Sequence, residues 1–282
     1  MSLHYTRPDR PVDATLVAVT GYVQSAAMEI GIDCMLVGAT ARDLLLTNVF
    51  GLSVRRATAD VDFGVAVRDW PQFDRLKLCL IESGHFQADV DVQKLHYVAN
   101  GRRALPLDLI PFGAIADGKV EIAWPPDMAV IMNVAGYEEA YAHSDQLALP
   151  CGSEIRVASI PGLAILKLIA WADRGRADNR DAIDLYQLLS NYAQAGNLDR
   201  LYGGEQALLE AAAYDPDLAG IRLLGKDVAH TASAASLVQL RSILDEHLDR
   251  LVGDIARSTR STNPGELVLQ LEQFRLGLSS SN

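Results

Sequence analysis

Asp60 and Asp62 are two carboxylates separated by one apolar residue, within a stretch from Ala59 to Val67 whose alternation suits a strand. Alternate strand residues share a face, so the two acids stand roughly 6.5 Å apart along the backbone, while Val61 and Phe63 turn the other way. Two convergent carboxylates suit a hard divalent cation, which is usually held by one or two such groups together with substrate phosphates. Asp108 is a third candidate, a lone acid between Leu107 and Leu109. Burying it is costly unless it is paired or bound to metal. A solvent-facing edge position would explain Asp108 equally well. An Asp-x-Asp alone is more often an exposed strand face than a metal site, and this chain has a second one at Asp89-Val90-Asp91, with no strand, turn and helix before it.

What distinguishes the first pair is the segment Val37-Gly38-Ala39-Thr40-Ala41-Arg42-Asp43, which reads as a strand end, a turn of small residues and a helix start. Small side chains let backbone approach a phosphate, and the free N–H groups and dipole of a helix N-terminus favour anions. Gly38, Ala39 and Thr40 are therefore candidate nucleotide-binding positions, with Arg42 as a helper. Ordinary strand-to-helix packing is the competing explanation. A zinc site is not expected from spacing: His85, His96, His143, His230 and His247 never fall at ligand intervals, and Cys34, Cys79 and Cys151 stand far apart among apolar residues, as reduced core thiols do. No nucleophile elbow surrounds any Ser or Cys.

The elements that must position these residues follow from periodicity. Residues 12–30 carry apolar side chains at helical spacing and stop at Gly31. Cys34 to Val37 reads as a buried strand, Ala41 to Leu46 as helix, and Trp70 to Ser83 as a helix ending at Gly84. Lys94 to Ala99 and Leu105 to Ile110 flank Asn100-Gly101, a hairpin signal in which Arg102-Arg103 would lengthen the loop. The order suits a mixed sheet covered by helices. Beyond residue 158 the character changes. Ser159-Ile160-Pro161 opens a helix running to Trp171, Asn179 can cap the next, and from Leu198 the chain reads as helix over 205–213, 217–229 and 235–256. The expected architecture is α/β (α+β): a catalytic mixed sheet with helices over 1–158, then a helical half over 159–282.

A chain of 282 residues that is 49% hydrophobic can bury one large core or two ordinary ones. The formal charge of −11 argues against coating nucleic acid through bulk electrostatics. Local recognition stays open, because Arg55-Arg56, Arg102-Arg103 and the set Arg174, Arg176 and Arg180 are basic clusters near the candidate site. Solvated surface is the ordinary explanation of any one pair. No run approaches about 18 apolar residues and the N-terminus lacks a signal-peptide layout, so a membrane span is not expected and the cytoplasm is the default location.

Gly38-Ala39, Asp60-x-Asp62 and Asp108 together resemble the polymerase-beta-like nucleotidyltransferases, whose pattern is a Gly-Gly/Ser turn, an Asp-x-Asp and a later strand acid. The resemblance implies Mg2+ or Mn2+ held by the three acids, with the third helping to activate an attacking hydroxyl. Ala39 departs from the pattern because it lacks a serine hydroxyl, which leaves phosphate contact to backbone N–H groups and Thr40. Lys167-x-x-Ala170, Arg174 and Arg180-Asp181-x-x-Asp184-Leu185-Tyr186 are similar to motifs of the AbiEii/AbiGii toxin family, the enzymatic halves of type IV toxin–antitoxin systems. By that resemblance Lys167 contacts the triphosphate and Asp181 or Asp184 completes the site, the helical half contributing them to the cleft. Helix-start electrostatics would also account for the two acids. The implied activity is transfer of a nucleoside monophosphate from a triphosphate to a hydroxyl acceptor. The toxin family suggests a tRNA 3′ end as that acceptor and a cognate antitoxin as partner. A small-molecule acceptor, as for antibiotic-modifying enzymes, and a nucleotide-binding regulator without turnover are the alternatives.

Overall fold

A computed structural model describes residues 2–53, 60–150, 152–174, 179–259 and 263–279. They form two compact units, the described residues of Met1–Gly51 and Arg55–Ala158 making one, and those of Leu52–Val54 and Ser159–Asn282 the other.

In the first unit the apolar runs and alternating segments assemble into an eight-stranded mixed sheet. Its elements are β1 (Leu3–Tyr5), α1 (Ala14–Ile30), β2 (Asp33–Val37), α2 (Gly38–Asp43), β3 (Val61–Ala66), α3 (Trp70–Glu82), β4 (Phe86–Ala88), β5 (Lys94–Ala99), β6 (Arg102–Phe112), α4 (Tyr137–Ala142), β9 (Asp145–Ala148) and β10 (Glu154–Val157), with β7 (Glu121–Trp124) and β8 (Val130–Asn133) forming a separate hairpin. The strand order is β1-β9-β10-β2-β3-β6-β5-β4. β3 lies inside it, antiparallel to β2 and parallel to β6. Met35, Leu36, Val61, Phe63, Leu107 and Leu109 are at most 1% exposed, so the three central strands are anchored by their apolar faces. On β3 and β6 that anchoring helps to set the register, since a slip of one residue would move Val61, Phe63, Leu107 and Leu109 to the other face. In the register that results Asp62 pairs with Val37 on one side and Asp108 on the other.

Several local expectations are corrected. Arg102 and Arg103 do not lengthen the hairpin loop; they begin β6, paired with Ala99 and Val98. Asn100 (φ 52°) and Gly101 (φ 72°) both take left-handed backbone, which closes a two-residue turn, and a register irregularity between Tyr97 and Val98 takes up the difference. The helix after β2 begins at Gly38 rather than Ala41 and runs on into a π-helical turn, Leu44–Val49. Asp60 lies immediately before β3 rather than within it. The short strands β1, β4, β7, β8, β9 and β10 carry too few residues for alternation to reveal them.

The described elements of the second unit are all helical: α5 (Ile160–Arg174), α6 (Arg180–Asn191), α7 (Leu198–Tyr202), α8 (Gln206–Ala211), α9 (Pro216–Thr231), α10 (Ala234–Thr259) and α11 (Pro264–Leu278). α9 and α11 cross closely at Gly225 and Gly277, where an added Cβ would run into the backbone of the opposite helix. Asn179 holds the cap position of α6 but does not cap it; its amide donates to Ser258 Oγ at 2.7 Å. Among the described residues no helix is long and apolar enough to cross a membrane.

Candidate functional site

Three side chains meet at one end of the central strands. Asp60, Asp62 and Asp108 each offer a carboxylate oxygen, and these oxygens all lie within 4.8 Å of one another. Asp62 and Asp108 are brought together by direct pairing of parallel β3 and β6. Asp60 is held from the other direction: Thr40, 6% exposed at the start of α2, donates its hydroxyl to the Asp60 carbonyl at 2.6 Å. The turn at Gly38 is built around the same group. Its φ of 70° favours glycine, and a Cβ there would fall on the Asp62 carboxylate.

The electrostatics are those of a site short of positive charge. Asp108 Oδ1 is buried without a hydrogen-bond partner. Burial pushes its carboxyl above the ordinary carboxylate range; Lys94 opposes this and the neighbouring Asp60 adds to it. Lys94 Nζ lies 3.8 Å from Asp108 Oδ1 and 3.8 Å from Asp91 Oδ2. An all-oxygen donor set fits a hard divalent cation. A span of 4.8 Å is little more than the ~4.2 Å between oxygens on opposite sides of an ion held at about 2.1 Å. The orphaned Asp108 oxygen is the atom such an ion would satisfy.

The remaining candidates divide. Gly38, Ala39 and Thr40 stand beside the acids, Gly38 against Asp62 and Thr40 on Asp60. Thr40 spends its hydroxyl on the protein rather than leaving it for phosphate. Arg42 is 1% exposed and grips Asp43 at 2.5 Å, so its guanidinium is engaged within its own unit. In the second unit Lys167 Nζ sits 2.9 Å from Asp181 Oδ1 and 2.7 Å from Asp184 Oδ2, and Arg174 reaches Asp181 Oδ2 at 2.7 Å. Both aspartates are 1% exposed, three residues apart on one face of α6. Burial pushes the Lys167 ammonium down, but Asp184 and Asp181 outweigh that, so it is raised and stays charged. A lysine on an apolar helix is thus explained by two buried counter-ions.

The second Asp-x-Asp is otherwise engaged. Asp89 bonds to His96 and lies 3.6 Å from Arg103, and Asp91 faces Lys94. Among the described residues only the Asp60 group clusters its ligand atoms in this way. The Cys34 thiol is pushed up to about 12, chiefly by burial, which suits an inert thiol. Arg55, Arg56, Arg176 and Cys151 lie outside the described residues. Arg102 and Arg103 are exposed, but six residues of strand put Arg102 roughly 20 Å from Asp108. Sequence reasoning missed Lys94. Its signal was the hairpin, which places Lys94 opposite Asp108 once the strands are paired.

No curated protein matches. Among solved structures, an antigenic nucleotidyltransferase-like protein from Paracoccidioides brasiliensis is 16% identical, with 72% of this chain and 94% of its own covered and a TM-score of 0.41. ANT(2")-Ia in complex with adenylyl-2"-tobramycin is 17% identical over 71% of this chain and 97% of its own, with a TM-score of 0.38. A CCA-adding enzyme in complex with CTP is 15% identical over 94% of this chain and 63% of its own, with a TM-score of 0.32. The profile described as "Nucleotidyl transferase AbiEii toxin, Type IV TA system" matches residues 26–265, which takes in the glycine turn, the three acids and the Lys167 and Asp181 motifs. The chain therefore belongs to the AbiEii nucleotidyltransferase family.

Proposed function

We propose that this nucleotidyltransferase moves a nucleoside monophosphate from a nucleoside triphosphate to the 3′ hydroxyl of an RNA, with Mg2+ or Mn2+ held by Asp60, Asp62 and Asp108. The observation that carries the reading is the meeting of three carboxylates within 4.8 Å around a buried Asp108 oxygen that has no hydrogen-bond partner. Bound there, a divalent ion would neutralise phosphate charge and lower the barrier to displacement. Asp108 would accept the proton of the acceptor hydroxyl. The hydroxyl oxygen would attack the α-phosphorus as the bond to pyrophosphate breaks. Gly38 and Ala39 would let the triphosphate approach the backbone, while Thr40 holds Asp60 in place. From their motif's resemblance, Lys167, Asp181 and Asp184 would serve the triphosphate; within the helical unit the lysine is held by the two aspartates.

The RNA acceptor is supported by family membership and by the exposed Arg102-Arg103 pair at the far end of β6, a span suited to an extended polyanion. A small hydroxylated acceptor is favoured instead by the net charge of −11 and by Arg174 being occupied with Asp181. Incubation of the full chain with each α-labelled nucleoside triphosphate and Mg2+, with total RNA in one reaction and a pool of small hydroxylated compounds in another, separates the two. Label on RNA is expected. Label confined to a small hydroxylated compound selects the second reading, and label on neither, across both acceptor pools, overturns transfer.

A further inference from the structure

We infer that Lys94 is a resident counter-ion for the acidic site, which occupies the charge-balancing place at Asp108 until a divalent ion takes it over. This rests on the reading of Asp60, Asp62 and Asp108 as metal ligands. Lys94 opens β5, and its pairing partner on β6 is Asp108 itself. Its backbone is held in place. Leu109 N–H donates to the Gln93 carbonyl at 2.9 Å and Lys94 N–H to the Asp91 carbonyl at 3.0 Å, so backbone bonds hold the turn ahead of Lys94 from both sides. Lys77 ties the same turn through the Val92 carbonyl. The ammonium is directed between Asp108 and Asp91, 3.8 Å from each and 29% exposed.

The charges explain why a lysine belongs here. Three carboxylates with oxygens within 4.8 Å repel one another, and Asp91 adds a fourth charge nearby. Without metal, the described side chain that offsets this at Asp108 is Lys94. At 3.8 Å it is too long for a hydrogen bond, so Asp108 Oδ1 keeps its lone pairs free for an incoming cation. A lysine fixed in this way eases folding of the metal-free chain and competes with the metal. It is a positioning residue, acting through Asp108.

The test is Mn2+ binding by the full chain, read by electron paramagnetic resonance, with thermal melts in EDTA. Lys94→Gln is expected to bind Mn2+ more tightly than wild type, on the order of tenfold, since a competing charge is gone. It is also expected to melt at a lower temperature in EDTA, with the gap closing at saturating Mn2+. Lys94→Arg keeps the charge and is expected to stay near wild type in both. Unchanged or weakened Mn2+ affinity in a folded Lys94→Gln overturns the inference, as does an Arg variant that behaves like Gln. Asp62→Asn separates this from failure of the underlying reading. If wild type binds Mn2+ and Asp62→Asn does not, the metal site stands and a normal Lys94→Gln removes the lysine's role alone. If wild type and Lys94→Gln both fail to bind, the metal reading falls and this inference with it.

Discussion

Gly38 and Asp62 occupy adjoining space: a single methyl group on Gly38 would overlap the Asp62 carboxylate. The glycine is left-handed at φ 70°, so the strand-to-helix turn folds directly over the acid that the sheet delivers to it. The turn and the metal pair, apart in sequence, are one structural unit.

Gly38→Ala should therefore damage the site more than the fold. Backbone strain at a left-handed position costs about 1 kcal/mol, whereas displacing Asp62 by an ångström suffices for roughly a hundredfold loss of transfer. Melting and labelled-nucleotide transfer, measured together, check the pair. Wild-type transfer by the alanine variant would mean that Asp62 is not where the reaction needs it.

Asp60→Asn and Asp62→Asn are each expected to lower transfer by orders of magnitude with the fold retained, since charge stabilisation by a bound metal is worth several kcal/mol. Asp89→Asn is the internal control, because Asp89 serves His96 and Arg103. A dead Asp89 variant beside a working Asp60 variant would shift the site to the other acidic pair.

Asp108→Asn should stabilise the metal-free chain while abolishing transfer. Burial raises the Asp108 carboxyl in the folded state, so its ionisation opposes folding as pH rises through that raised value, and the opposition vanishes below the ordinary value of 3.8. In EDTA near neutral pH the variant is expected to melt higher than wild type, and the gap should narrow as pH falls toward 4. Equal melting at neutral pH would show that Lys94 already cancels the cost.

Lys167→Met should unfold the helical unit more readily, because it removes the cation shared by two aspartates that are each 1% exposed, leaving Asp181 with Arg174. Breaking a buried pair from one side typically costs about 3–5 kcal/mol. Adding Asp181→Asn and Asp184→Asn should recover part of it. A lone cation in an open cleft would be free to remove, so an unchanged melting temperature for the single variant would contradict the packing described.

Arg102→Ala with Arg103→Ala should flatten the salt dependence of transfer to RNA, by about 0.7 in the log–log slope for each single-strand phosphate that the pair no longer neutralises. Nucleotide binding should be unchanged, since the pair stands roughly 20 Å along the strand from Asp108. An unaltered slope would mean that the RNA is gripped elsewhere.

The local chemistry of this chain was legible in its sequence wherever one element carries it. The Asp60-x-Asp62 spacing marks the acid pair although Asp60 itself precedes β3, Gly31 ends α1 in left-handed backbone, and Asn100-Gly101 closes a hairpin. The switch from mixed sheet to helices near residue 158 followed from a change of period. What the tertiary structure decided was pairing between segments far apart in the chain. Only the parallel register of β3 and β6 puts Asp108 beside Asp62, only the hairpin's pairing puts Lys94 opposite Asp108, and only the packing of α5 on α6 gives Lys167 its two aspartates. Arg42, which reads as a phosphate helper, is buried and pairs with its neighbour Asp43. Periodicity records which face of an element is apolar; it holds no information on which partner that face meets, and a carboxylate's neighbours are set by the partner.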